Sequence, residues 1–303
     1  MKKIVIEIPA TTTNLGPGFD CLGMAFNLYN IIEIEPGDYK DFPLTSEGEG
    51  SHELKDSSSN LVLAGYRKIF DVVGKEPLSA RFRQINRIPF SRGLGSSAAA
   101  YLGGLAGANH LLGNPLTLQE LIELAVKKEK HPDNVVPAAV GGFTIACLTS
   151  QGTAWIKLSH PRIPSILAAV PELPMKTSES RAILPENIPF RDAVANLGRT
   201  ALLVAALAEG RWDLLATAME DKLHQPYRDT DDGLIAQCVR EAREAGAYGT
   251  ALSGSGSTIL SFLPEGNQEV GPALIKIFQS RGIPVKLVSL ALVNEGLKIR
   301  EEN

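Results

Sequence analysis

Apolar positions along the chain alternate in some stretches and recur at helical spacing in others, and the two periods interleave without strict strand–helix regularity. β-Branched runs at Ile4–Ile8 and Asn30–Glu35 predict strands. Between them, the Gly/Pro/Asn-rich stretch Thr11 to Gly23 reads as a loop too long for a plain connection, and long ordered loops tend to carry function. Residues 37–59 predict loops and short edge strands. Asn60 is placed to cap a helix reaching Val73, with Gly74 as its stop, and Ala80–Ile85 predicts a strand. An Ala/Gly-rich helix is expected from Ser96 to Leu112. Thr117-Leu118-Gln119-Glu120 forms a capping box that opens a helix to Lys130.

Gly142–Leu148 and Thr153–Leu158 predict a hairpin joined at Gln151-Gly152, and Pro161 and Pro164 mark a boundary. Beyond it come a strand at Ser165–Val170 and helices at Phe190–Glu209, Trp212–Leu223 and Asp232–Ala245, the last stopped by Gly246. Strands at Tyr248–Leu252 and Thr258–Phe262, a helix at Gln268–Ser280 and a final strand at Val285–Val293 complete the pattern. The class is α+β, with domains expected at 1–160 and 161–303.

Composition narrows the function. A 44% hydrophobic and 21% charged chain of 303 residues is ordinary for a globular protein with a real core. Net charge is −4 and no basic stripe interleaves with aromatics, so no nucleic-acid partner is expected. Cys21, Cys147 and Cys238 are scattered and form no CxxC pair, which suits a reduced cytoplasmic protein. The five histidines show no zinc spacing. Met1–Glu7 starts like a signal peptide, but Glu7 and Pro9 break its apolar run; no run of about 18 apolar residues suggests a membrane span.

The most informative string is Pro89-Phe90-Ser91-Arg92-Gly93-Leu94-Gly95-Ser96-Ser97-Ala98-Ala99-Ala100. It reads as a loop opening a helix. Gly93 and Gly95 let the backbone approach a ligand, Ser96 and Ser97 are candidate caps, and the helix start favours an anion, most plausibly phosphate. A Gly-Ser turn before a packed helix would look similar. The string is not a Walker A loop, since no Gly-Lys-Ser/Thr follows, and it lacks the third glycine of a dinucleotide fingerprint.

Further polar clusters stand where a plain fold does not require them. Asn14 and Asp20 flank a Gly-Pro-Gly turn; they are either good turn formers or an amide and a carboxylate held in a cleft. Glu129 closes a helix whose dipole disfavours it, which points to Mg²⁺ as a partner, although Lys127, Lys128 and Lys130 also make a solvated charged face. His131, Asp133 and Asn134 follow at once, and Asp133 is also a candidate N-cap. Arg181, within Thr177–Pro185, and Arg228, within His224-Gln225-Pro226-Tyr227-Arg228, suit a carboxylate or phosphate clamp or, singly, surface ion pairs. Gly254, in Ser253-Gly254-Ser255-Gly256, sits in a glycine turn able to approach a ligand or merely to close a hairpin.

The string Pro89–Ala99 resembles the ATP-binding loop of the GHMP kinases. The order of all five clusters, from about residue 3 to the final strand, is similar to the homoserine-phosphorylating branch of that family. The resemblance implies an N-terminal unit related to ribosomal protein S5, a ferredoxin-like C-terminal unit, and ATP between them. It implies that Asn60, Pro89, Arg92, Gly93, Leu94, Gly95, Ser96, Ser97, Ala98 and Ala99 bind ATP and that Ser97 and Glu129 contact Mg²⁺. Asn14, Asp20, His131, Asp133, Thr177, Arg181, Arg228 and Gly254 would bind L-homoserine, with Asn14, Asp20 and Asn134 nearest the chemistry.

The implied reaction is phosphoryl transfer to the homoserine side-chain hydroxyl, a step of threonine biosynthesis, by a cytoplasmic enzyme, with a homodimer as the family expectation. Two departures stand out: Lys130 occupies a position where glycine is usual, and Ser257 one where proline is frequent. Asn134 takes the place of an aspartate base in mevalonate-kinase relatives, and an amide cannot accept a proton, so no strong dedicated base is expected. Mevalonate- or shikimate-type kinases, and a non-catalytic ATP-binding regulator, are the alternatives.

Overall fold

A computed structural model describes residues 2–51, 59–159, 161–229 and 232–302. The chain begins with β1 (Lys3–Asn14), β2 (Gly18–Pro36), β3 (Leu44–Gly48), α1 (Leu61–Val73) and β4 (Ala80–Asn86). It continues through α2 (Ser96–Leu111), α3 (Leu118–Glu129), α4 (Val135–Val140), β5 (Phe143–Thr149) and β6 (Gly152–Lys157). The second half holds β7 (Ser165–Pro171), α5 (Thr177–Ala182), α6 (Phe190–Glu209), α7 (Leu215–Ala218), α8 (Gln225–Arg228) and α9 (Leu234–Glu244). It ends with β8 (Gly249–Leu252), β9 (Ile259–Leu263), α10 (Val270–Gln279), β10 (Val285–Leu290) and β11 (Lys298–Glu302).

The first sheet runs β11-β1-β2-β4-β3, with β5 also on β2 and β6 beyond it; the second runs β10-β7-β9-β8. The second sheet is antiparallel throughout, with the strand order of a ferredoxin-like unit. α9 and α10 pack with it into a smaller core around Cys238, Leu274 and Phe278. α+β architecture is therefore what the chain adopts.

α2 sits at the centre of the first half. Ile6, Ile8, Ile32 and Ile34 form an isoleucine floor beneath it, and Gly103 and Gly107 bring the helix down onto that floor. On its other side, a Cβ at Gly104 would lie 2.0 Å from the Val62 carbonyl oxygen, so α1 and α2 touch backbone to backbone. This explains a helix rich in small residues and buried on nearly every face.

Several sequence expectations need correction. The long loop from Thr11 to Gly23 is mostly strand, turning only between Asn14 and Gly18. Its threonines are β-branched and buried, and two of the hydroxyls have identified partners: Thr11 donates to Asn134 Oδ1 at 2.7 Å, and Thr12 and Ser253 hydroxyls lie 2.8 Å apart. The helix expected over Trp212–Leu223 is a 3₁₀ turn plus the short α7. The Asp221 carboxylate accepts from the N–H groups of Leu223, His224 and Gln225 and restarts the chain as α8. The final strand stops at Leu290, and the charged segment Lys298–Glu302 pairs with β1 through Lys3–Glu302 and Arg300–Glu7 ion pairs. The C-terminus thus returns to the first sheet across the expected 160/161 boundary; residue 160 and part of 37–59 lie outside the described residues.

Ser96 and Ser97 do not cap α2. Gly95 is the N-cap, in the left-handed region, and no side chain closes the helix start. Asn60 does cap α1, accepting from Val62 and Leu63 N–H, and the Thr117–Glu120 capping box is present.

Lys130 ends α3 at φ 74°, a left-handed conformation that favours glycine. Replacing it removes strain that a Cβ imposes there. Lys130→Gly is therefore expected to raise unfolding free energy by about 0.5–1 kcal/mol, and a denaturant titration showing destabilisation would contradict this.

Candidate active site

A cleft of ≈ 370 Å³ opens where the Asn14–Asp20 turn, the Pro89–Ala98 loop, the end of α3, α5 and the Gly254–Ser255 turn converge. Its loop wall is built from glycines by necessity. Gly93 and Gly95 have φ of 76° and 73°. A Cβ at Gly93 would lie 2.0 Å from the Ser253 carbonyl oxygen, and one at Gly95 would lie 2.0 Å from Thr11 Oγ1. The uncapped first turn of α2 then presents backbone N–H groups and a positive dipole end to the cleft, the arrangement that suits a polyphosphate.

At the same wall, Ser97 Oγ donates to Glu129 Oε1 at 2.8 Å. α2 and α3 thus bring a hydroxyl and a carboxylate together across the sequence. Both are hard oxygen donors lining the cleft, and they fit Mg²⁺.

The opposite side is densely charged. Asp20 and Arg181 form a two-point ion pair, with Arg181 Nη1 to Asp20 Oδ2 at 3.0 Å and Nη2 on Oδ1. Both side chains are about one-third exposed. His131 is buried, and its Nδ1 bonds the Asp133 carboxylate, which also accepts from the Asn134 N–H at 2.9 Å. Burial works to lower the His131 pKa, but the hydrogen bond and charge of Asp133, with Asp20 beyond, leave it raised above its ordinary value. His131 Nε2 is buried at the cleft with no partner among the described residues. One ligand atom each from Asp20, His131 and Asp133 lies within 4.8 Å of the others. With Arg181 already beside Asp20, these convergent acceptors suit an ammonium group.

Arg228 is buried and donates to the Gly254 carbonyl at 2.8 Å and the Ser180 carbonyl at 3.3 Å. It also donates to His224 Nδ1 at 3.0 Å, while His224 Nε2 donates to the Gly16 carbonyl at 2.8 Å. Burial lowers the His224 pKa to about 4, so at neutral pH the ring is uncharged and free to accept from Arg228. Burial, and then the charge of Arg181, lower Arg228 to about 10, which still leaves it a cation.

Most sequence candidates meet here, but not all with the expected role. Thr177 lines the cleft, its hydroxyl 3.5 Å from that of Ser255. Pro89, Ser96 and Ala98 line it beside the glycines. Asn60 does not line it: its carbonyl oxygen caps α1 and also accepts from Gln84 Nε2. Ala99 is fully buried in the core, and the Leu94 side chain points there too, leaving only backbone for a ligand. Arg92 lines the cleft and also braces the loop, donating from Nε and Nη1 to the Pro171, Phe90 and Ser91 carbonyls.

Asn14 is committed as well. Its carbonyl oxygen holds the Asp20 N–H and its amide donates to the Gly254 carbonyl. Gly254 therefore offers surface and no spare carbonyl. Asn134 lines the cleft with its side-chain oxygen taken by Thr11. Sequence reading missed Phe19, within the Thr11–Gly23 stretch, and His224; His224 stands at i−4 from Arg228, a spacing that faces them on one helical turn.

A glycine cradle for polyphosphate, a hard-oxygen pair beside it and a charged small-molecule pocket opposite define an ATP-dependent small-molecule kinase. The description "GHMP kinases N terminal domain" matches residues 60–142 and "GHMP kinases C terminal" residues 203–276. The chain belongs to the GHMP kinase family. The homoserine kinase of Carboxydothermus hydrogenoformans is 42% identical, over 94% of this chain and 93% of that protein. The homoserine kinase of Moorella thermoacetica is 40% identical, over 96% and 98%. The crystal structure of homoserine kinase from Cytophaga hutchinsonii superposes with a TM-score of 0.87 at 29% identity, covering 99% of this chain and 98% of that one.

Gly95→Ala puts a methyl group into Thr11 in a backbone region that costs an L-residue about 1 kcal/mol even in open space. Nucleotide affinity, read by fluorescence titration, is expected to fall at least about tenfold. Undiminished affinity in the folded variant would contradict the cradle.

Proposed function

We propose that this protein transfers the γ-phosphoryl group of ATP to the side-chain hydroxyl of L-homoserine, giving O-phospho-L-homoserine and ADP. The observation that carries this reading is the pairing of Arg181 and Arg228 with the acceptors Asp20, His131 and Asp133 in one cleft, opposite the glycine loop. A carboxylate clamp beside an ammonium site is what an amino acid requires. The homoserine kinases to which the chain is similar support the same substrate.

On this reading residues 89–98 hold the polyphosphate, the loop glycines and the start of α2 supplying backbone donors. Ser97 and Glu129 would hold Mg²⁺, which when bound neutralises charge on the transferring phosphate. Arg181 and Arg228 take the α-carboxylate. Asp20 and Asp133, with His131 Nε2, take the α-ammonium. The substrate's two charges thereby replace the Asp20–Arg181 contact with one partner for each side chain. The hydroxyl then faces the glycine loop, and catalysis rests on positioning and charge neutralisation.

The assignment of 1–160 as the nucleotide-binding domain and 161–303 as the C-terminal domain belongs to this proposal, with β11 exchanged back. So does a cytoplasmic location: Cys21, Cys147 and Cys238 are free thiols, which supports a reducing compartment. No helix among the described residues is long and apolar enough to cross a membrane.

The test is ADP formation with ATP and Mg²⁺ in the presence of L-homoserine, mevalonate or shikimate. ADP that depends on homoserine, with Glu129→Gln demanding more Mg²⁺ for half-maximal rate, is expected. Turnover only with another acceptor would overturn the substrate, and nucleotide binding without turnover would favour the regulator.

A homodimer is part of the proposal. Phe190, Val194 and Leu197 lie at i, i+4 and i+7 on α6 and are 84%, 52% and 73% exposed, an apolar stripe that supports burial against a second copy. Light scattering is expected to give two chains for the wild type and one for Leu197→Glu; a monomeric wild type would sink the idea.

A further inference from the structure

Two cations share one aromatic ring in this cleft. The Arg181 guanidinium carbon lies 5.3 Å from the centroid of Phe19, and that of Arg228 lies 5.5 Å from it. The His224 ring packs on Phe19 at 5.3 Å between centroids, with its plane tilted by 30°. Like charges so placed repel, and the lowered pKa of Arg228 registers that repulsion beside the cost of burial. Arg228 is fixed by the Gly254 and Ser180 carbonyls and by neutral His224. Among the described residues the Arg181 guanidinium has one hydrogen-bonded partner, the Asp20 carboxylate, which the substrate's ammonium claims on the proposed reading. Once that contact is exchanged, the ring of Phe19 is what remains among the described residues to hold Arg181 next to Arg228.

The local chain explains how Phe19 comes to be there. In an ordinary strand, Phe19 and Asp20 would point to opposite faces. Here both line the cleft, and Asp20 has φ 56°, a left-handed residue that breaks the alternation at the start of β2. Asn14 Oδ1 accepts from the Asp20 N–H at 3.1 Å and closes this kink. The electron-rich face of an aromatic ring attracts guanidinium groups while making no hydrogen bond. All the donors of the two arginines not already engaged therefore stay available to an anion.

We infer that Phe19 is the positioning residue of the carboxylate clamp, its ring holding the Arg181 and Arg228 guanidiniums side by side for the substrate carboxylate. This rests on the homoserine reading for the identity of the carboxylate, but not for the clamp itself. Phe19 touches no reacting atom, and its removal acts on recognition rather than on phosphoryl transfer.

The test compares wild type, Phe19→Leu and Phe19→Tyr. Leu keeps an apolar side chain and loses the ring; Tyr keeps the ring. Phe19→Leu is expected to raise KM for L-homoserine about tenfold, with kcat within about threefold and KM for ATP unchanged, and Phe19→Tyr to restore KM. 3-Aminopropan-1-ol, which is homoserine without its carboxylate, serves as a competitor: its inhibition constant is expected to be the same in wild type and Phe19→Leu. A loss of affinity for both compounds alike, or an unchanged KM for homoserine, would overturn the inference.

A second measurement needs no substrate. In the ¹⁵N–¹H spectrum of the guanidinium groups, Arg181 and Arg228, assigned by substitution, are expected to show ring-current shifts that Phe19→Leu abolishes. Unshifted signals in the wild type would overturn the inference even if homoserine proved not to be the acceptor. Ring-current shifts in a wild type that ignores homoserine would sustain the clamp and discard only the proposed substrate.

Discussion

The structure depends on one close approach of backbone to backbone, where the glycine loop of the first half meets the glycine turn of the second. Ser253 Oγ donates to the Gly93 carbonyl at 2.6 Å, the Gly254 N–H to the Thr13 carbonyl at 3.2 Å, and the Thr258 N–H to the Arg92 carbonyl at 3.2 Å. No side chain fits between them, since a Cβ on Gly93 would sit almost on the Ser253 oxygen. This contact places the polyphosphate cradle and the charged pocket in one frame. The Gly254 carbonyl extends that frame to Asn14 and Arg228, both of which donate to it. Reactant geometry is worth many orders of magnitude in rate, and a misplacement of about 1 Å costs roughly a hundredfold, so a kinase that relies on positioning gains from such a junction.

The charges around the pocket are affordable because they are mutually arranged. A buried guanidinium is costly when left alone. Arg228 meets two carbonyls, a neutral imidazole acceptor and an aromatic ring, and so remains charged in a nearly dry place. Asp133 is likewise enclosed by His131 and the Asn134 N–H. Asp20 and Arg181 are less buried and satisfy one another. The pocket therefore separates fixed charges, which keep their partners, from one exchangeable pair that a zwitterion is able to divide.

What was legible in the sequence follows from how local the information is. The Asn60 cap, the Gly74 stop and the Thr117–Glu120 box are written within one turn of helix, and the structure forms them as read. The glycine loop was legible because only glycine tolerates its backbone and its crowding. The extension of β1 through Thr11, Thr12 and Thr13 was not, because the hydroxyls of Thr11 and Thr12 find their partners more than a hundred residues away. β11 was hidden for a related reason: its charged residues look solvent-facing until Lys3 and Glu7 are placed opposite them. Asn14 and Arg92 line the cleft as expected from the sequence, but sequence shows a polar group and not the neighbouring backbone that it also holds. Phe19 escaped because an aromatic beside a glycine turn reads as core, and its two cations come from positions far along the chain.

The same accounting of partners bears on the chemistry. A hydroxyl nucleophile usually calls for a proton acceptor, and Asn134, Asp133, Asp20 and Glu129 all line the cleft. Asn134 is an amide whose oxygen is occupied by Thr11. Asp133 and Asp20 are directed at the ammonium on the proposed reading, Asp133 holding His131 and the Asn134 N–H through one oxygen as well. Glu129 accepts from Ser97 at the wall where the metal would sit. What remains is His131 Nε2, an acceptor in the neutral ring, which the proposed reading assigns to the ammonium. On that reading no carboxylate is held in reserve for the hydroxyl proton. A loose phosphoryl-transfer transition state tolerates this, because the nucleophile bears little new bond order and its proton becomes acidic only late. The demand then falls on placing the hydroxyl in line with the phosphate. A junction that locks cradle to pocket, and a clamp that fixes the far end of the substrate, supply that placement.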